Sequence, residues 1–435
     1  MSYIWITGII ISFCVLLYRV LSAHGKDIFC PFYLVSLLYV IIFVYGPSYY
    51  LKRGLTRVEG IETISYISEA TWVFLAGYFI YFIGSIIGSR LLSRNQMRKV
   101  HLQDCANGAF NKTKVHYIVR YAWTVYFFGI ALGIIYYLTI GRSLAMMLSF
   151  GQLGERVYLS TSGSLAFLVY FMDFPIGALL LLHTFSNKKT LVWIATAAYA
   201  IMTTSAGFRY LPMCFGLAAV ANHYISNDKR PKMIMTIAAI VVAYVFVGVV
   251  GIFRGAMRTG GEIDWSGVNT DTISAAFRFN SDIFFPFYNL VHYIRNGAIS
   301  PHYGKGVLYI FIFAIPRFFW STKPTSLGKT AFEAMWGSSL GGAAYPNIGE
   351  FYYEFGFLGM LICMLMFGRI IENQFNYTLR ISGNRIEVIK YSILYGYLLQ
   401  FVNRGYFAGW AFDLLFFLFP VWFLEYTLKR RAWSY

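Results

Sequence analysis

The chain has 435 residues, of which 58% are hydrophobic, 20% aromatic and only 13% charged, whereas a soluble domain carries roughly 25% charged residues. This composition excludes a soluble globular protein and indicates an integral membrane protein. The formal net charge of +17 is accounted for by Lys and Arg in cytoplasmic loops, where they are enriched in membrane proteins. No motif of a nucleic-acid-binding module is present in the sequence.

Eleven apolar runs approach or reach the length of roughly 20 residues that is needed to cross a bilayer. The first run lacks both a charged segment before it and a cleavage site after it, which favours a transmembrane helix over a removed signal peptide. We therefore predict an all-α, polytopic transmembrane helical bundle that forms a single domain over residues 1–435. The runs are 3–21, 31–50, 70–88, 117–140, 164–183, 190–207, 209–225, 233–252, 349–368, 388–403 and 406–427.

Basic connectors between these runs predict the orientation of the chain. With eleven crossings, all five basic segments lie on the cytoplasmic side, the N-terminus lies outside and the C-terminus inside. A twelfth run, Gly306–Trp320, is short and contains Pro316, so we expect a re-entrant or interfacial segment there. The basic segments are 90–114, 188–189, 229–232, 369–390 and 429–431.

This orientation leaves one large periplasmic loop, at about residues 253–348. The loop carries more Lys and Arg than Asp and Glu, which predicts an anionic ligand, because the insertion bias does not require positive charge on that side. Within the loop, residues 280–295 predict an amphipathic segment on the lipid surface. Its lipid-facing residues are expected to be Phe284, Phe287, Tyr288, Val291 and Ile294.

Five basic side chains are candidate ligands for a phosphate group. Arg317 and Lys323 flank a Trp and a Pro, and Arg grips phosphate in two places while Lys adds a point charge. Arg209 interrupts an apolar stretch at the outer end of two predicted helices, where an ionisable group is usually functional. For Arg209, Arg254 and Arg404, snorkelling to lipid headgroups is the alternative.

Glu350 and His292 are the candidate catalytic residues. Glu350 opens a predicted helix, so it is either a capping-type residue favoured by the helix dipole or a carboxylate that acts as general base or orients a substrate hydroxyl. His292 lies in the predicted outer loop and is able to act as a base near neutral pH, although a lone loop histidine is often only polar surface. We expect Asp173 and Asp413 to be structural partners or interface residues.

Several motifs are absent from the sequence, and their absence narrows the chemistry. The chain has no GxxxxGK[ST] phosphate loop and no HExxH pair, and the first of these absences argues against an ATP-driven pump. Its five cysteines are scattered without a CxxC pair, so neither a zinc site nor a disulfide framework is expected. We predict no metal and no cofactor.

Three segments resemble the Wzy family of oligosaccharide repeat-unit polymerases, which build O-antigens and related surface polysaccharides. They read SAGFRYLP around Arg209, PRFFWSTKP from Pro316, and AAYPNIGEFYYEFGFLG up to Gly359. The specific resemblance covers about 45 residues near Pro316–Gly359, with a shorter similarity around Arg209 and Arg254.

This resemblance implies a metal-independent transferase with a GT-C-like bundle and a periplasmic active site in the bacterial inner membrane. Such enzymes join a growing glycan on undecaprenyl pyrophosphate to a new lipid-linked repeat unit, and the carrier pyrophosphate leaves. It implies binding to undecaprenyl-pyrophosphate-linked oligosaccharide and to membrane lipids, but not to nucleic acid, and leaves open whether a chain-length regulator protein docks. Arg209, Arg254 and Arg317 fall in the matching segments.

Two alternative functions remain open from the sequence. A flippase or exporter of lipid-linked oligosaccharide should carry charged residues deep in both halves of the bundle, whereas the candidates here cluster on the predicted outer face. An O-antigen ligase uses the same donor and has a similar layout.

Overall fold

The protein is described by a computed structural model, and the residues that the structure describes are mostly α-helical. The described residues are 28–58, 60–90, 112–139, 166–205, 210–232, 283–313, 315, 319–320, 327–337, 344–380 and 384–431, with isolated positions within 8–14 and 234–249.

The N-terminal half begins with α1 (Pro31–Val40), which opens on its proline and continues through a π-helical turn, Ile41–Tyr45, into α2 (Gly46–Lys52). A small antiparallel hairpin and a 3₁₀ turn then lead into α3 (Ile67–Arg90). The hairpin strands are β1 (Arg57–Val58) and β2 (Ile61–Glu62), and the turn is Ile64–Tyr66.

Four helices follow in the middle of the chain. The second of them is preceded by a 3₁₀ segment, Ala166–Asp173. They are α4 (Lys112–Thr139), α5 (Phe174–Phe185), α6 (Lys189–Ser205) and α7 (Tyr210–Ser226).

Three short helices and three long ones make up the described C-terminal part. The short helices are α8 (Phe284–Arg295), α9 (Lys305–Phe313) and α10 (Leu327–Trp336). The long helices are α11 (Asn347–Arg380), α12 (Arg385–Asn403) and α13 (Phe407–Arg431).

Six helical segments among the described residues are long and apolar enough to cross a membrane, not eleven. Two of the predicted runs form helices of 17 residues, α6 and α7, which are about 26 Å long and fall just short of a full crossing. The runs 3–21 and 233–252 lie mostly outside the described residues. The six are Pro31–Lys52, Ile64–Ser89, Lys112–Tyr136, Leu168–Phe185, Asn347–Leu379 and Gly409–Arg430.

Glycines bring α3 and α11 into close contact. A Cβ atom on Gly84 would lie 2.2 Å from the carbonyl oxygen of Leu365, and one on Gly88 would lie 2.5 Å from that of Arg369. Small residues at this spacing let helix backbones approach closely within a membrane. Because higher numbers on α3 meet higher numbers on α11, the two helices run parallel, and both N-termini lie at the same end of the bundle. We call this the Glu350 end.

The last three helices run between the Glu350 end and the opposite end of the bundle, which we call the basic end because lysine side chains lie there. Since α11, α12 and α13 alternate in direction, the C-terminus of α12 and the N-terminus of α13 also lie at the Glu350 end. At the opposite end, Lys390 pairs with Glu387 at 2.5 Å and with Glu425 at 2.9 Å, and Lys429 pairs with Glu425 at 2.6 Å. These ion pairs join α12 to α13 at the basic end of the bundle.

The apolar face of α8 packs inside the protein. Phe284, Phe287, Tyr288 and Val291 are buried, and α8 contacts both α3 and α11. The expectation that these residues lie on the lipid surface is therefore wrong. An amphipathic pattern indicates that one face is covered, but lipid and protein interior are equally suitable covers for it.

Candidate active site

The Glu350 end is built around a break in α11. Gly356 has φ +68° and ψ −170°, a conformation that essentially only glycine adopts. The break separates a short N-terminal helix, residues 347–355, from the part of α11 that continues through the bundle. Glu350 and Glu354 lie on this short helix four residues apart, and so they point to the same side of it.

A strained turn covers the C-terminal end of the short helix. Tyr303 and Gly304 both have positive φ angles, of 49° and 88°. This conformation directs the backbone N–H groups of His302 and Gly304 to the carbonyl oxygens of Tyr353 (2.8 Å) and Glu354 (3.0 Å). The last carbonyls of a helix have no partner within the helix, so the turn satisfies two of them.

The two glutamates cap the N-termini of two other helices. One oxygen of Glu354 accepts the N–H of Gly306 in the first turn of α9 at 2.9 Å, and one oxygen of Glu350 accepts the N–H of Phe407, the first residue of α13, at 3.1 Å. The first N–H groups of a helix lack intrahelical acceptors, and the helix dipole favours a carboxylate there. Glu350 is thus a capping residue, but for a helix 57 residues away in sequence and not for its own.

Each glutamate keeps its second oxygen without a hydrogen-bond partner. Both side chains are fully buried, and Oε2 of Glu350 and Oε1 of Glu354 are unpaired. The hydroxyl of Tyr345 lies near Glu350, and burial, together with the negative charge of Glu350, raises the pKa of that tyrosine well above its ordinary value. The Tyr345 hydroxyl also interacts with the Glu350 carboxyl as a hydrogen-bond donor, so a ligand hydroxyl at Glu350 would compete with it.

His302 is tied to the same short helix. The ring nitrogen Nε2 lies 2.9 Å from the hydroxyl of Tyr353, and Nδ1 is buried without a partner. Burial lowers the pKa of His302 below its ordinary value of 6.5, and the positive charge of Lys305 lowers it further. His302 is therefore a neutral imidazole at physiological pH.

His292 lies on the other side of the short helix. Tyr352 interacts with Arg295 and Glu69, and because it is two residues after Glu350 it points to the opposite face of the helix. His292 binds Glu69 through Nδ1 at 2.7 Å. The two predicted catalytic residues thus lie at one end of the bundle, but on opposite faces of residues 347–355.

Arg404 is the one predicted phosphate ligand within the described residues. Its backbone ends α12 by donating to the carbonyl oxygen of Gln400 at 2.9 Å, and its side chain interacts electrostatically with Asp413. Asp413 and Asp173 are both buried and lie close enough to interact with each other. The other predicted ligands, Arg209, Arg254, Arg317 and Lys323, lie outside the described residues.

A comparison with protein-family models decides which family the chain represents. Residues 1–433 match the model described as O-antigen polysaccharide polymerase Wzy. The chain belongs to this family. No curated protein and no solved structure matches it. The Glu350 end therefore belongs to a Wzy-family membrane protein, and the resemblance in the sequence is confirmed over nearly the whole chain.

Glu69 and Tyr66, which contact the predicted catalytic residue His292 in this Wzy-family protein, were not predicted from the sequence. A signal for Glu69 was present, because an acidic residue directly before a long apolar run marks the start of a helix at a membrane boundary. Its partners were not visible, since His292 is 223 residues away along the chain.

Proposed function

We propose that this protein polymerises undecaprenyl-pyrophosphate-linked oligosaccharide repeat units into O-antigen or a related surface polysaccharide at the periplasmic face of the bacterial inner membrane. The observation that carries the proposal is the match to the Wzy family over residues 1–433. The Glu350 end is the proposed reaction site.

The distribution of charge supports this orientation. Lys188 and Lys189 connect α5 to α6, and Lys390 and Lys429 lie at the basic end of α12 and α13. Short basic connectors stay in the cytoplasm, so the Glu350 end faces the periplasm. The proposal keeps a GT-C-like arrangement of helices, with the Glu350 end and residues 253–348 on the periplasmic side.

The proposed reaction displaces a pyrophosphate from a sugar. A hydroxyl oxygen of the acceptor repeat unit attacks the anomeric carbon of the growing glycan, and the bond from that carbon to the carrier phosphate breaks. The pyrophosphate leaves with the electron pair of that bond, and the hydroxyl gives up its proton to a base. The donor arrives activated, so no nucleotide is needed.

Arginine and lysine side chains are proposed to stabilise the departing pyrophosphate. Negative charge develops on it as the bond breaks, and cations fixed at the periplasmic headgroup level lower the energy of that state. Anionic carrier lipid also favours positive charge on this side, which accounts for the basic excess of the outer loop. The proposed set is Arg209, Arg254, Arg317, Lys323 and Arg404.

Glu350 and His292 are proposed as the residues that handle the acceptor hydroxyl. The unpaired oxygen of Glu350 suits a hydrogen bond to a sugar hydroxyl, once the segments at Tyr345 and Gly405, which cross over it, move aside. These segments are joined by one hydrogen bond, from the N–H of Gly405 to the carbonyl oxygen of Tyr345 at 2.5 Å. A sugar bound at Glu350 therefore competes with one backbone bond.

Purified protein in liposomes, supplied with undecaprenyl-pyrophosphate-linked repeat units and no nucleotide, tests the proposal. A ladder of elongated, lipid-linked products is expected. Movement of the substrate across the bilayer without new bonds would instead identify a flippase, and transfer only to a lipid A core acceptor would identify a ligase.

The phosphate ligands are tested separately in cells. Arg209→Ala and Arg317→Ala should each abolish long-chain polymer and leave the single-repeat product, because transfer fails while substrate supply continues. Unchanged polymer length in both variants would show that these arginines are not part of the site.

A further inference from the structure

A cluster of charged and aromatic side chains lies where α3 and α8 meet at the Glu350 end. Glu69 is in the first turn of α3, and His292 and Arg295 are in the last turn of α8. The N-terminus of a helix is the positive end of its dipole and the C-terminus is the negative end. The α3 dipole therefore stabilises the charge of Glu69, and the α8 dipole stabilises positive charge on His292 and Arg295.

Glu69 uses both carboxylate oxygens within this cluster. Oε1 lies 2.7 Å from Nδ1 of His292, and Oε2 lies 3.1 Å from a guanidinium nitrogen of Arg295. A carboxylate only accepts hydrogen bonds when it is ionised, so Nδ1 of His292 carries the proton. The contact therefore selects one tautomer of the imidazole.

The other imidazole nitrogen is the accepting one. The side-chain amide nitrogen of Asn296 lies 2.9 Å from Nε2 of His292, and an amide N–H donates to a ring nitrogen that has a free lone pair. Asn296 is exposed at the end of α8, so an incoming hydroxyl is able to replace its amide. The ring of Tyr66 stacks on the imidazole at a centroid distance of 3.6 Å and fixes its plane.

This geometry differs from that of Glu350. The His292 side chain is 23% exposed, whereas Glu350 is fully buried and holds the start of α13. Of the two predicted catalytic residues, His292 is the one that a substrate reaches without opening the bundle. A carboxylate at Nδ1 with a lone pair at Nε2 is also the arrangement that makes histidine an effective general base.

We propose that Glu69 is the positioning residue for His292, which accepts the proton of the acceptor hydroxyl in the transfer reaction. The inference rests on the proposed function. The hydroxyl proton passes to Nε2 as the oxygen attacks the anomeric carbon, and the carboxylate of Glu69 balances the imidazolium charge that results. Glu350 then orients the acceptor sugar and does not take its proton.

Recovery of the rate by a second carboxylate distinguishes this role from a structural ion pair. The groups around the imidazole are Glu69 on α3, Arg295 and Tyr293 on α8, and the preceding Tyr66, and Tyr352 on α11 interacts with Glu69 and Arg295. Among them, Glu69 is the carboxylate that contacts Nδ1 of His292, so a substitution of Glu69 acts on the imidazole directly.

The test compares variants of the full-length protein in the liposome elongation assay. Glu69→Gln should lower the rate by at least about 100-fold, because the imidazole loses the partner that selects its tautomer and balances its charge after proton transfer. Glu69→Asp should recover part of the rate. His292→Gln should elongate no faster than Glu69→Gln.

Arg295→Gln is the matched control. It breaks the other ion pair of the same carboxylate but leaves the contact that selects the imidazole tautomer; elongation should persist. Elongation by Glu69→Gln at the wild-type rate would overturn the inference while the proposed function stands. A wild-type protein that does not elongate would instead overturn the proposed function.

Discussion

Substitutions at Glu350 separate its structural role from its proposed role in catalysis. Glu350→Ala removes the acceptor for the N–H of Phe407 at the partly buried start of α13. A buried donor left unsatisfied costs about 1–3 kcal/mol, so the alanine variant should be less stable by that amount. Glu350→Gln keeps a carbonyl oxygen for the same N–H and replaces only the unpaired oxygen, so its stability should change by less than about 1 kcal/mol.

Both variants should elongate more slowly. The second oxygen of Glu350 is proposed to make one hydrogen bond with the acceptor sugar, and a hydrogen bond is worth about 0.5–1.5 kcal/mol. At about 1.36 kcal/mol per tenfold change in rate, Glu350→Gln should elongate about 2- to 13-fold more slowly. The glutamine variant should therefore be folded but slow, and the alanine variant both destabilised and slow.

Thermal unfolding in detergent and the liposome elongation assay measure these two effects on the same preparations. Glu354→Gln is the matched control, since it keeps an acceptor for the N–H of Gly306 one turn further along the same helix. It should be stable and should elongate. If Glu350→Gln elongates at the wild-type rate, Glu350 only caps α13 and has no role in catalysis. If Glu350→Gln unfolds at the same temperature as Glu350→Ala, the hydrogen bond to Phe407 does not contribute to stability.

Two further predictions concern stability. Gly84→Ala should destabilise the protein by about 1–3 kcal/mol, because its Cβ would lie 2.2 Å from the backbone oxygen of Leu365. Gly216→Ala has open space around the new Cβ, so it should be neutral or slightly stabilising. Thermal unfolding of the two variants measures the difference. The pKa of His302 is lowered in the fold, so the unfolded chain binds a proton more readily, and stability that is complete above pH 6.5 is lost as the pH falls below it. His302→Gln should show less of this acid loss, and equal loss in both proteins would contradict the assignment.

Hydropathy predicted where helices lie, but not what covers them. The runs 31–50, 70–88 and 117–140 correspond to helical segments that begin or end within a few residues of those bounds. The face of α8 that holds Phe284 and Phe287 was predicted to lie on lipid and instead packs in the core. The same side chains satisfy both environments, so sequence periodicity cannot distinguish them.

The candidate site was predictable only as a set of residue types. Glu350 was recognised as a helix-start carboxylate, yet the helix that it caps begins at Phe407, and the partner of His292 is Glu69. Such contacts depend on how helices distant in sequence pack together, which local pattern does not encode. The break at Gly356, which lets the short helix turn its carboxylates towards α9 and α13, was likewise not predicted.

Sidedness of the Glu350 end is the most direct measurement, because the polymerase proposal requires this end to face the periplasm. Tyr303, beside His302, is 78% exposed, and the side chain of Lys429 at the basic end is 73% exposed. Cysteines introduced at these positions in a cysteine-free variant should react differently with a membrane-impermeant maleimide. Tyr303→Cys should be labelled in cells whose outer membrane alone is permeabilised, and Lys429→Cys only after the inner membrane is opened. Labelling of Tyr303→Cys only after the inner membrane is opened would contradict a periplasmic reaction site.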